Sequence, residues 1–190
     1  MNILYLHGMA SSHESVMASQ LQAVLPQHRI LVPDLSIDPA VSFQLIDRLL
    51  ADEHIDLLVG HSLGGFMAQK YIGRRKILIN PSLGTTFLRL FMGNNRYKHA
   101  RYDGCPTYCI TPEICAAYKR LEQSQYSLLT AADDQLTIGL FARRDLFTRL
   151  SAHRFKDHYS DRRLIPGAHF PTAETVRDYI APAVVELLAR

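Results

Sequence analysis

The sequence predicts an α/β protein, a parallel sheet covered by helices on both faces, and three observations lead to that class. Short runs that are apolar at consecutive positions recur along the chain, as strands buried on both faces require. Amphipathic stretches of helical period separate them, and strand alternating with helix is the pattern of a parallel sheet. The third is a glycine on each side of one serine, in "LVGHSLGGF" at residues 58–66. Glycine is costly inside regular structure unless the backbone must bend sharply or approach closely.

The strand runs are residues 3–6, 30–32, 56–60, 77–80, 136–141 and 163–165. Between the first two, Val16, Leu21, Val24 and Leu25 make an amphipathic stripe ended by Pro26. Asp38 caps the next helix with Pro39 at its first position, and Val41, Leu45, Ile46, Leu49 and Leu50 recur on one face. Leu63, Phe66, Met67 and Tyr71 form a third helix that Gly73 is expected to stop. The last helix spans residues 172–188, with Val176, Ile180, Val185 and Leu188 on its apolar face and a kink expected at Pro182.

One stretch breaks the rhythm. Between Asn80 and Leu136 no strand signal occurs, and the connection is far longer than a βα loop needs. It holds one clear helix, with Thr111 as N-cap, Pro112 at N1, and Ile114, Tyr118 and Leu121 on one face. Residues 84–131 are therefore expected to form a helical excursion, a lid over the carboxyl ends of the strands, within a single domain spanning 1–190. Its apolar residues Phe87, Leu88, Leu90, Phe91, Tyr97 and Ile110 either line a pocket or pack the lid onto the core.

Composition narrows the function. A chain of 190 residues with 47% hydrophobic and 21% charged residues has the makings of an ordinary globular core. The net charge is +3, and the basic groups at Arg74-Arg75-Lys76, 89–101, Arg143-Arg144 and Arg162-Arg163 are scattered. They read as solvated surface: no basic stripe with stacking aromatics appears, so nucleic acid is not an expected partner. No leader-like or membrane-spanning apolar stretch is seen, and a cytoplasmic protein without a membrane partner is expected. Cys105, Cys109 and Cys115 read as free thiols, since with His99 they match no usual zinc spacing. No metal and no organic cofactor is called for.

The glycine pair has a specific meaning when it follows an apolar strand and precedes an amphipathic helix. Gly60-His61-Ser62-Leu63-Gly64 then reads as a nucleophile elbow, a turn so sharp that Ser62 sits at its apex in a strained conformation. A β-carbon at either flank would collide with neighbouring backbone.

With that motif the chain resembles the α/β-hydrolase superfamily over nearly its whole length. "LYLHGMASS" at residues 4–12 resembles the oxyanion segment of that superfamily, and "GHSLGG" its elbow. Among small members it looks most like the bacterial YqiA-type esterases. These begin at a "YLHG" strand, carry "SLGG", follow with an asparagine-proline pair such as Asn80-Pro81, and end with a G-x-H like Gly167-Ala168-His169. The first strand starts at residue 3, so the resemblance implies a compact sheet of six parallel strands in the order 2-1-3-4-5-6.

The resemblance also implies a chain order of serine, acid, histidine. After Ser62, the acid that just follows a strand is Asp145; Asp133, Asp134, Asp157 and Asp161 precede strands and fall at the wrong edge. The histidine after the last strand is His169, whereas His153 and His158 come before it. His7 and His61 are expected to be structural. The oxyanion donors implied are the backbone N–H groups of Leu63, next to the nucleophile, and Met9, in the first loop.

The expected function is a serine hydrolase acting on carboxylic esters or thioesters of small to medium acyl groups. Arg89, Arg96, Lys98 and Arg101 would suit an anionic leaving group such as coenzyme A. Two alternatives use the same scaffold: a transacylase with the same Ser62, Asp145 and His169, and a non-catalytic protein binding a small apolar ligand.

Overall fold

A computed structural model describes residues 1–190. The chain opens with β1 (Asn2–Leu6), α1 (Val16–Val24), β2 (Arg29–Leu31), α2 (Pro39–Asp52), β3 (Leu57–His61), α3 (Leu63–Gln69) and β4 (Lys76–Ile79). An excursion follows: a 3-10 turn over Thr86–Phe91, the hairpin strands β5 (Gly93–Arg96) and β6 (Thr107–Ile110), then α4 (Pro112–Gln123) and α5 (Ala131–Gln135). The chain then returns through β7 (Thr137–Ala142), α6 (Arg149–Lys156), β8 (Arg162–Ile165), α7 (Ala173–Thr175) and α8 (Ala181–Ala189). No helix is long and apolar enough to cross a membrane.

Six strands form one sheet in the order β2-β1-β3-β4-β7-β8, every pair parallel. This is the predicted order 2-1-3-4-5-6. Side chains alternate between the faces as the strand period of two dictates. Ile3, Tyr5, Leu57, Val59, Ile77 and Ile79 pack under α1 and the C-terminal helices. Leu4, Leu6, Leu58 and Leu78 face the other way, onto Ile46 of α2, Phe66 of α3 and Tyr118 of α4. Each such side chain, fully buried, contributes about 1.5–3 kcal/mol of transfer free energy.

The helix caps read from the sequence hold. Asp38 accepts from the Ala40 N–H at 2.9 Å, and Thr111 accepts from the Ile114 N–H at 3.3 Å. The third helix is shorter than expected. It ends at Gln69, where Lys70 and Tyr71 donate back three residues to Met67 and Ala68 and tighten the last turn. Gly73, with φ +72°, lies beyond it in the following turn. Before Pro182 the C-terminal helix widens into a π-helical stretch, Val176–Ile180, the local adjustment that accommodates a residue lacking an N–H.

Two expectations need correction. The excursion is not wholly helical: β5 and β6 pair antiparallel, from Gly93 opposite Ile110 to Arg96 opposite Thr107. "GNNR" has neither alternation nor β-branched residues, so nothing local announces a strand that exists only because its partner folds back on it. Lys76 is not solvated surface either. It opens β4, is fully buried, and lies 3.5 Å from the equally buried Asp133 while donating to the Tyr71 carbonyl at 2.8 Å. A strand covered on both faces tolerates an ammonium only with such partners.

Candidate active site

The strand order reverses between β1 and β3, and ligands in open α/β sheets gather outside the carboxyl ends at such a point. Ser62 stands there, between β3 and α3, at φ 54° and ψ −118°. A non-glycine residue held at positive φ costs on the order of 1–3 kcal/mol and persists only where its surroundings over-determine it. Here the Ser62 N–H donates to the Ile79 carbonyl at 3.0 Å, and its own carbonyl accepts from the Ser82 N–H at 2.9 Å. The flanking glycines follow from the same bend. A β-carbon on Gly60 would lie 2.5 Å from the Gly64 carbonyl oxygen, and one on Gly64 would overlap the Leu6 carbonyl of β1.

Three side chains from distant parts of the chain meet at this edge. His169, in the loop after β8, brings Nε2 to 2.9 Å from Ser62 Oγ. Its Nδ1 lies 2.8 Å from Asp145 Oδ2, in the loop after β7. With Nδ1–H donating to the carboxylate, Nε2 is left to accept from the serine hydroxyl. Asp145 is positioned in turn, accepting from the Phe147 N–H at 2.9 Å, the Thr148 N–H at 3.3 Å and the Thr148 hydroxyl. Burial pushes its carboxyl up, but the bonds from His169, Thr148 and Phe147 prevail and hold it below the usual carboxylate range. Ser62 and Asp145 are both buried.

Several of the other acids and histidines are occupied elsewhere. Asp133 pairs with Lys76, Asp134 accepts from the Ser160 N–H and hydroxyl, and Asp161 pairs with Arg163 and Arg190. His158 stacks on Tyr126. His7 braces the first loop: its Nε2 accepts from the Leu35 N–H at 3.0 Å and its Nδ1 donates to the Gly8 carbonyl at 2.8 Å. Burial pushes its pKa down to about 4 and keeps it neutral. No three His, Cys, Asp or Glu side chains converge as metal ligands; Cys105 and Cys109 are exposed and Cys115 is buried.

Two residues do more than sequence reasoning assigned them. His61 Nε2 donates to the His169 carbonyl at 2.9 Å, and Asn80 Nδ2 donates to the same oxygen at 2.9 Å and to the Ala168 carbonyl at 3.3 Å. Asn80 Oδ1 accepts from the Ala142 N–H at 2.7 Å, tying the end of β4 to the end of β7. Burial, reinforced by the neighbouring His169, pushes His61 down to about 4, so it serves as a neutral donor. The asparagine-proline pair was the only sequence signal pointing at Asn80.

The first loop lies against the serine: a β-carbon on Gly8 would stand 3.1 Å from Ser62 Cβ. Met9 in that loop and Leu63 at the start of α3 line one small apolar cavity of about 10 Å³. Neither backbone N–H has a partner within the protein. Tyr97 and Tyr108 of the hairpin also line this cavity. Of the other apolar excursion residues, Leu88 and Ile110 are buried in the core, while Leu90 and Phe91 are exposed. Arg101 is not free for an anionic ligand; it binds Asp103 and the Leu35 carbonyl and lies over the Tyr97 ring.

The sequence pattern of UPF0227, an uncharacterised protein family, matches residues 2–138. The chain belongs to this family. The UPF0227 match runs from β1 into β7 and so takes in the first loop, Ser62 and Asn80, while Asp145 and His169 lie beyond it. No curated protein sequence matches the chain. Solved structures resemble it in fold. The esterase domain of a Rhodothermus marinus protein superposes with a TM-score of 0.65 at 14% identity, over 99% of this chain and 86% of that one. The methylesterase MES16 from Arabidopsis gives 0.59 at 14% identity, over 98% and 99%. An α/β-hydrolase from the sediment metagenome of the Mar Chica lagoon in Morocco gives 0.56 at 14% identity, over 100% and 90%. The UPF0227 chain thus has the α/β-hydrolase fold.

Proposed function

We propose that the protein is a serine hydrolase that cleaves carboxylic esters or thioesters through an acyl-enzyme, with Ser62 as nucleophile, His169 as base and Asp145 as its orienting carboxylate. The reading rests on one observation above all, the continuous hydrogen-bonded chain Ser62 Oγ–His169 Nε2, His169 Nδ1–Asp145 Oδ2. A serine hydroxyl is a weak nucleophile at neutral pH, and an imidazole within hydrogen-bond reach, held in the right tautomer, makes it reactive.

In the first half-reaction Ser62 Oγ attacks the acyl carbonyl and its proton passes to His169 Nε2. The resulting imidazolium is stabilised by Asp145. The oxyanion takes the Met9 and Leu63 N–H groups, whose lack of protein partners suits them to charge that develops only in the transition state. Collapse breaks the bond to the alcohol or thiol, which leaves with the proton from His169. Water then repeats the sequence on the acyl-enzyme, releasing the acid and restoring Ser62. Esterase names recur among the proteins of similar fold, including a thioesterase domain from the curacin biosynthetic pathway.

Hydrolysis of p-nitrophenyl acetate tests the proposal. Turnover is expected in the wild-type protein and its loss in Ser62→Ala; equal turnover by the two would refute the role of Ser62. Adding an alcohol or amine acceptor separates hydrolysis from acyl transfer, and the released acid is expected to remain the main product.

A further inference from the structure

We infer that the site takes esters of the shortest carboxylic acids and carries the bulk of its substrate on the alcohol side. The inference rests on the esterase reading above and narrows it to a substrate class.

The acyl group is assigned to the space beside the first loop, which is narrow. The carbonyl oxygen belongs at the Met9 and Leu63 N–H groups, and the cavity beside them, about 10 Å³, has room for little more than one water or a methyl group. Its floor is Leu35, Ile37 and Met67, all buried core residues. Its roof is Tyr97 and Tyr108, whose rings lie 4.7 Å apart. That roof is pinned to the body of the protein: Lys98 N–H donates to the Ala10 carbonyl at 2.8 Å, Tyr102 N–H to Asp34 at 2.6 Å, and Arg101 to the Leu35 carbonyl at 3.0 Å. An acetyl methyl fits. Each further methylene has to displace a packed side chain or strain the hairpin, which close-packed interiors resist.

The alcohol side is open and mostly apolar, with the Lys98 ammonium 4.9 Å from the centre of the Phe170 ring. The leaving oxygen takes its proton from His169 Nε2, so the leaving group must lie along that imidazole. Phe147 and Phe170 both meet the His169 ring edge-on, with centroids 5.6 and 5.0 Å away. They are 83% and 66% exposed, and Leu146 beside them is 82% exposed. Large apolar side chains left in water on either side of a reactive histidine form a ready surface for an apolar or aromatic alcohol.

Two ester series test this on the intact protein. Across p-nitrophenyl acetate, butyrate, hexanoate and octanoate the leaving group is constant, and kcat/KM is expected to fall by about tenfold or more at each step. Tyr108→Ala, or Tyr97→Ala should the first fold poorly, opens the roof and is expected to raise hexanoate about tenfold relative to acetate. Across phenyl and 2-naphthyl acetate the acyl group is constant; the larger alcohol is expected to bind better, as a lower KM that Phe147→Ala abolishes. Hexanoate or octanoate turned over as well as acetate by the wild-type protein would overturn the inference, as would a chain-length profile unmoved in folded roof variants or a naphthyl ester no better than phenyl. Those outcomes leave the esterase reading intact as long as a fluorophosphonate labels Ser62. A protein that neither labels nor hydrolyses any ester loses both.

Discussion

His61 holds His169 by its backbone, donating from Nε2 to the carbonyl oxygen of residue 169 at 2.9 Å. The loop that presents the imidazole to Ser62 is thereby anchored to the last residue of β3, directly beside the serine. His61→Ala removes one of the two donors on that carbonyl and leaves Asn80 as the other. A lost buried hydrogen bond of this kind is worth roughly 1–2 kcal/mol, so kcat is expected to fall by about tenfold with KM little changed. Steady-state kinetics on a variant verified as folded by circular dichroism checks it; an unchanged kcat would mean that the loop needs no anchor there.

Asp145 is expected to matter far more. Asp145→Asn keeps the size of the side chain and an acceptor for the Phe147 and Thr148 N–H groups but removes the charge that stabilises an imidazolium and favours the correct tautomer. Turnover of p-nitrophenyl acetate is expected to drop by about 10⁴-fold. Activity near the wild-type level would assign the acid to another residue.

Lys76 and Asp133 make a stability prediction separate from the site, because they lie at the amino-terminal end of β4 and not at its carboxyl edge. Lys76→Met leaves the Asp133 carboxylate buried without its countercharge, at a cost of about 3–5 kcal/mol. In a chain of this length the melting temperature is expected to fall on the order of 10 °C. The kcat of the folded fraction should not move, and calorimetry paired with an activity assay separates the two effects.

Glu122 links stability to acid pH. It accepts from the Thr85 N–H at 2.9 Å and the Thr85 hydroxyl at 2.8 Å, and pairs with Arg154 at 2.8 Å. Burial raises its carboxyl, but these bonds outweigh burial and bring it to about 2 from an ordinary 4.5. A depressed acid contributes stability that is fully present above its unfolded pKa and is lost as pH falls through the folded one. The contribution should therefore vanish between about 4.5 and 2. Denaturant unfolding at a series of pH values is expected to show a shallower acid-side decline in Glu122→Gln than in the wild-type protein; parallel curves would contradict it.

The sheet was legible because its strands are buried on both faces and so are apolar at consecutive positions, a signal that survives in one sequence. The elbow was legible because Gly60 and Gly64 are demanded by close backbone approach, and the positions of Asp145 and His169 just past strands anticipate that their side chains reach one edge. The hairpin of the excursion was not, since Gly93, Asn94 and Asn95 form a strand only by pairing with residues 108–110. Lys76 was misjudged because the run Arg74-Arg75-Lys76 looks uniformly solvated, although the chain dives into the sheet at its last residue. The anchoring by His61 and Asn80 depends on a loop that returns from about ninety to a hundred and eight residues away, and no local pattern encodes that.

The measurement that bears most directly on the central claim is mass-spectrometric mapping of a fluorophosphonate adduct on the intact protein. The account predicts one adduct, on Ser62, absent in Ser62→Ala and formed much more slowly in His169→Ala. An adduct on another residue, no adduct on folded protein, or labelling of Ser62 at the same rate without His169 would contradict it.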